Sequence, residues 1–248
     1  MAGYDTASLV TSAWPNAEAY GFGTPLFWLR YFSPCYYTPV NTSSSNANAE
    51  CREIWISNSS SPMLGPITTP TQSRLSGSSA EGQADAQTLA SALVTVYQDV
   101  APLLLPSNGE LYCWLDQEEA TSLSVAYWDG WAGYLDPYDF DGMGTYPLYP
   151  CLYCNPDAPP PNCSTIGAAT YYCTAVWSSE PLRCSNYVKS PPSTWAAENC
   201  SAYTTTPTDV WQFNDGSGIC NDSLVDQDSG APGFYTPSYC FYLEAEPA

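Results

Sequence analysis

Glu110-Leu-Tyr-Cys-Trp-Leu-Asp116-Gln-Glu118 decides how this chain is read. An apolar run ends in a carboxylate, and a second carboxylate follows after one intervening residue. A short apolar run of this kind reads as a strand buried on both faces, the kind found in parallel sheets. Strand alternation turns Asp116 and Glu118 to the same side, with Cα atoms roughly 6.6 Å apart at about 3.3 Å rise per residue.

Seven further apolar runs surround this one, at residues 2–6, 26–32, 62–68, 146–152, 171–177, 208–213 and 222–227. Polar or helical stretches separate them, which argues for crossovers and not hairpins. Eight strands with crossovers predict an α/β chain folded as a (β/α)8 TIM-type barrel, one domain over residues 1–248. The clearest helix runs from Ser79 to Val100, where Leu89, Leu93, Val96 and Val100 recur at helical spacing. Ser78-Ser-Ala-Glu81 is a capping box that starts it, and Pro102 marks its exit. A second helix is predicted from Ala120 to Tyr134. The Ser/Asn-rich stretch 39–50 and the Pro- and Cys-rich region 155–170 read as loop insertions. From Cys151 onward Pro and Cys multiply while helical periodicity fades, so the second half of the barrel should be irregular, with disulfides in place of packed helices.

Charge and composition narrow the function. Five Lys plus Arg face 25 Asp plus Glu, a net charge of −20 that repels phosphate backbones and anionic lipid, so neither nucleic acid nor a membrane is an expected partner. Twenty Tyr, nine Trp and seven Phe exclude a disordered acidic chain. The chain has no His, which removes the commonest general base and the usual catalytic triads. Carboxylate chemistry remains.

Eleven Cys, concentrated between Cys151 and Cys200, fit an oxidising, extracellular setting. Cys151-Leu-Tyr-Cys154 is the only C-x-x-C, and a zinc ribbon needs a second such pair, so disulfides are expected over metal, with no cofactor. An odd count leaves one thiol over, and Cys113, inside an apolar strand, is the candidate. Met1-Ala-Gly-Tyr-Asp5 leads straight into the first strand, which suggests a mature secreted form restarted with Met, and no apolar run has the length of a membrane span.

Asp5 ends the first strand as Asp116 ends the fourth. The run Asp222-Ser-Leu-Val-Asp226-Gln-Asp228 would form the last strand, and a closed barrel sets strand eight beside strand one, bringing Asp226 toward Asp5. Asp5, Asp116, Glu118 and Asp226 would then face one mouth, where crowding of like charges raises some pKa values and holds one acid protonated. A protonated and an ionised carboxyl flanking a bond are what glycoside hydrolysis requires. The plainer alternative is that Asp116 or Glu118 caps the following helix. Arg30 and Tyr31 on the second strand, and Trp211 and Gln212 on the seventh, are candidates for sugar contacts or simply for barrel filling.

These residues resemble a glycoside-hydrolase-like family of unknown function related to the family 25 lysozymes. Gly3-Tyr-Asp5-Thr-Ala-Ser looks like its first strand and Leu29-Arg30-Tyr31-Phe-Ser-Pro34 like its second. Gly82-x-x-Asp85-Ala86 followed by Tyr112-x-x-Leu-Asp116-x-Glu118 looks like its third helix and fourth strand, and Val210-Trp211-Gln212-Phe213 with Val225-Asp226 like its closing strands. The resemblance implies that Glu118 is the general acid, Asp116 a charge partner or positioner of an acetamido group, and Asp5 and Asp226 supporting acids. Two functions follow as expectations. One is a secreted hydrolase of an N-acetylhexosamine-containing glycan such as peptidoglycan. The other is a non-catalytic extracellular protein on the same barrel, binding glycan or self-associating in a surface layer or filament.

Overall fold

The computed structural model describes residues 2–19, 24–32, 44–58, 63–68, 70, 72–99, 103–104, 111–117, 122–136, 138–139, 145–146, 148–156, 162–179, 192–195, 197, 200, 206–214, 226–232, 234 and 241–243. Eight strands close into a barrel: β1 (Ala2–Asp5), β2 (Phe27–Tyr31), β3 (Met63–Thr68), β4 (Leu111–Gln117), β5 (Leu148–Cys154), β6 (Val176–Ser179), β7 (Thr208–Asn214) and β8 (Asp226–Gly230). Closure is made by β2, which pairs in parallel with both β1 and β3. From β2 through β7 every neighbour is parallel. The last strand is not: β8 runs antiparallel to β7 and to β1. The barrel therefore departs from an eightfold β/α repeat at its final strand. A parallel return needs a crossover of a dozen or more residues, usually a helix, and the link 215–225 is shorter, so the chain re-enters the barrel at the end where it left.

Helices follow the first five strands: α1 (Val10–Ala19), α2 (Ser44–Asn58), α3 (Ser79–Asp99), α4 (Val125–Leu135) and the short α5 (Asn162–Ala168). Among the described residues none follows β6 or β7, in keeping with an irregular second half. Two expected loop insertions contain helix instead, since α2 begins at Ser44 and α5 occupies 162–168. Short strands Leu103–Leu104 and Phe241–Leu243 extend the sheet beside β3, and Tyr138–Asp139 with Thr145–Tyr146 forms a separate ribbon.

Alternation along the strands builds two cores. One face of each strand fills the lumen with Phe27, Ile67, Trp114, Tyr153, Trp177 and Val210. The other face meets the helices, where Trp28, Leu64 and Leu115 pack with Leu89, Leu93 and Trp128. Leu89, Leu93 and Val96 are the buried stripe that the sequence predicts for α3. Its start is the expected capping box: the Ser78 N–H and Oγ both donate to Glu81 Oε2, at 2.8 and 2.9 Å. Helix α4 starts five residues later than expected because Ser124 caps it, its Oγ accepting from Tyr127 N at 3.0 Å and donating to the Gly77 carbonyl at 2.6 Å. Helices α3 and α4 approach so closely that a Cβ at Gly82 would meet the Tyr127 carbonyl, and one at Gly130 the Ser79 carbonyl.

The cysteines depart from a full disulfide framework. Cys163 and Cys200 are bonded, while Cys51, Cys113, Cys151, Cys154 and Cys173 carry buried thiols. Cys113 is thus reduced as expected, but it is not alone. Cys113 and Cys151 lie on adjacent strands yet belong to opposite cores, which forbids a bridge between them. Cys35, Cys184, Cys220 and Cys240 lie outside the described residues.

Candidate functional site: carboxylates at the barrel mouth

Asp5 is the last residue of β1 and Asp226 the first of β8, and the two stand opposite each other in register. That is the juxtaposition expected from barrel closure, reached with β8 reversed. Asp116, near the end of β4, shares the lumen face of Tyr112 and Trp114 and pairs with Tyr153 on β5. Glu118 lies outside the described residues. The start of α4, the next described helix, is capped by Ser124 and not by Asp116.

A further carboxylate enters the lumen two residues along β8. Asp228 is fully buried and accepts from Trp177 Nε1 at 3.0 Å. Burial pushes its carboxyl well above the usual range, the neighbouring Asp226 charge adds to this, and hydrogen bonds from Asp5 and Trp177 pull the other way. Asp5, Asp226 and Asp228 therefore form one interacting group of carboxyls at the seam between β1 and β8. The sequence contained the signal for Asp228: Asp226-Gln-Asp228 repeats the spacing of Asp116-Gln-Glu118, and alternation turns both members of each pair to one face.

Polar side chains extend this lining. Tyr153 Oη lies 2.9 Å from Gln212 Oε1 and 3.0 Å from Ser179 Oγ, which donates to the same Oε1 at 2.9 Å. Gln212 thus faces the lumen, as does Tyr31, a member of the lumen cluster. A register irregularity between Gln212 and Asn214 on β7 accompanies the hydrogen bond from Asn214 Nδ2 to Gln227 Oε1, 2.9 Å. Two other candidates lie elsewhere. Arg30, on the helix side of β2, donates Nε to Glu50 Oε1 of α2 at 2.6 Å and Nη1 to the Thr6 carbonyl at 2.7 Å, with both side chains buried. Trp211 alternates out of the lumen and packs edge-on against Trp195 and Phe213, with ring centroids 5.8 and 5.9 Å away.

A cleft of about 210 Å³ lined by Trp195, Ser229, Gly230, Ala231 and Pro232 lies at the opposite end of β8 from Asp226 and does not include the carboxylates. Among the described residues, the side chains grouped closely enough to ligate a metal ion are Cys154, Cys163 and Cys200. No described helix is long and apolar enough to cross a membrane.

Fold and site define a closed α/β barrel with an acid-lined mouth. A crystal structure of an uncharacterized B. stearothermophilus protein has the same fold, with a TM-score of 0.63 and 20% identity over 95% of this chain and 98% of that one. A scan against protein-family models and a search of curated proteins each find no match.

Proposed function

We propose that this protein is a glycan hydrolase of the kind related to the family 25 lysozymes, acting outside the cell on an N-acetylhexosamine-containing polymer such as peptidoglycan. The observation that carries the reading is the gathering of Asp5, Asp116 and Asp226 toward one barrel mouth, with Asp228 in the lumen behind them, its carboxyl raised well above the usual range by burial. Barrel enzymes place their reacting groups at the C-terminal ends of the parallel strands, where Asp5 and Asp116 stand. Separated protonation states in adjacent carboxyls are the chemical requirement of glycoside hydrolysis. In this reading Glu118, two residues beyond Asp116, is the general acid. Asp116 positions the acetamido group or the developing charge, and Asp5, Asp226 and Asp228 set the field around them. Tyr31 and Gln212 are the polar lumen contacts available to a sugar.

A second reading rests on burial. Asp5 is 3% exposed, and Asp116 and Asp228 are fully buried, which suits a non-catalytic barrel that binds glycan at its rim or assembles at a cell surface. Release of reducing ends from peptidoglycan and chitin-type oligosaccharides between pH 4 and 7 separates the two. Activity in the wild type that falls by about 10² or more in Glu118→Gln establishes the hydrolase. No release by the folded wild type moves the function to binding or assembly.

A further inference from the structure

We propose that Cys154, Cys163 and Cys200 form a three-thiolate site for a soft metal ion, available when the Cys163–Cys200 bond is reduced. The three Sγ atoms lie within 4.8 Å of one another and all three residues are buried. They come from separate places in the chain: the last residue of β5, the second residue of α5, and a position ahead of β7. A disulfide needs two sulfurs at one point; this point has three. Zinc holds thiolates at about 2.3 Å in a tetrahedron, which sets neighbouring sulfurs about 3.8 Å apart. Cys154 Sγ already lies within 4.8 Å of both bonded sulfurs, so small side-chain movements after reduction bring the three to that spacing.

The chemistry balances without further participants. A thiol or phosphine reductant supplies two electrons and two protons are taken up, converting the disulfide to two thiols. Binding of Zn²⁺ then releases three protons to solvent, leaving a site of net charge −1 with a water in the fourth position. Cys173 stands close by, its thiol pushed up chiefly by burial and further by Cys154, but its Sγ donates to the Ala175 carbonyl at 3.1 Å and it is outside the group of three. With no His in the chain, an all-sulfur donor set selects Zn²⁺, Cd²⁺ or Cu⁺ over hard cations. The bound ion would tie β5 and α5 to the segment leading into β7, on the side of the barrel where no described helix follows β6. The disulfide makes only the α5 link of that tie.

The test compares full-length chain, reduced with a phosphine and desalted without oxygen, with the oxidised chain. Zn²⁺ affinity is read by competition with a chromophoric chelator, and Cd²⁺ by the ultraviolet thiolate-to-metal band. The reduced chain is expected to take up one metal equivalent at least ~10-fold more tightly than the oxidised chain, because a metal needs its thiolates deprotonated and unbridged. Cys154→Ser should abolish that difference while Cys51→Ser, remote on α2, retains it. Should Cys154→Ser fail to fold by near-ultraviolet circular dichroism, Cys200→Ser replaces it, with loss of tight binding in both redox states expected. Absence of the Cd²⁺ band in the reduced wild type overturns the proposal, as does equally tight binding by the oxidised chain or by folded Cys154→Ser.

Discussion

Arg30 and Asp228 illustrate what a buried charge requires in this barrel. Arg30 is neutralised by Glu50, which also accepts the Val10 N–H at 3.3 Å, so the pair fastens β2 to α1 and α2. Removing one partner of a buried pair strands the other; Arg30→Met is therefore expected to lower stability by about 3–5 kcal/mol in urea unfolding. Asp228 has no cation paired with it among the described residues, and its burial works against ionisation. Its folded pKa is raised, so the folded state holds a proton that the unfolded chain has already lost, and stability falls as pH rises through the folded value. Asp209, pushed up to about 6 by burial, acts with the same sign between roughly pH 4 and 6. Thermal unfolding should thus occur at higher temperature at pH 4.5 than at pH 7.5. Asp228→Asn, which can still accept from Trp177 and cannot ionise, should narrow that gap.

The sequence made Asp5, Asp116 and Asp226 legible because each ends or begins a strand. It left Arg30 and Trp211 ambiguous, since alternation gives two faces without saying which is the lumen. For β2 the phase is revealed by Phe27, Leu29 and Tyr31 inside, and for β7 by Val210.

Among the described elements, α3 and α4 approach each other closely through their backbones. A methyl group at Gly130 would have to displace the Ser79 carbonyl at the start of α3, and backbone there is held by the capping box. Gly130→Ala is expected to cost about 1–3 kcal/mol by overpacking, read as a lower urea midpoint with an unchanged slope. Seven of the eight strands start within about four residues of where apolar runs place them. The sixth was expected at 171–177 and is found at Val176–Ser179, because Tyr171 and Tyr172 are 40% and 52% exposed and the Tyr171 carbonyl accepts the Trp128 indole N–H at 2.7 Å. The start of that apolar run covers a helix from outside, and only its last two residues, Val176 and Trp177, enter the sheet. The reversal of β8 could not be read either, since an alternating pattern is the same in both directions.

At the scale of the whole molecule, a net charge of −20 works against approach to an anionic wall. If peptidoglycan is the substrate, turnover on whole walls should rise as salt is added from ~0.01 M to ~0.15 M, where the screening length shrinks from about 30 to about 8 Å. Turnover on short neutral oligosaccharides should stay nearly flat over the same range. Equal salt responses for both substrates would mean that the surface field plays no part in encounter.

The seating of β8 between β7 and β1 also constrains how the chain can mature. The β1 edge stays open until residues 226–230 arrive, after the other seven strands have been made. Until then a ribosome-bound chain carries an unclosed sheet, with an exposed β1 edge and lumen aromatics not yet enclosed. Closure must wait for that segment, and the pairing that completes the barrel joins Asp5 to the distant Asp226, a non-local contact of the kind that makes folding slow and aggregation-exposed.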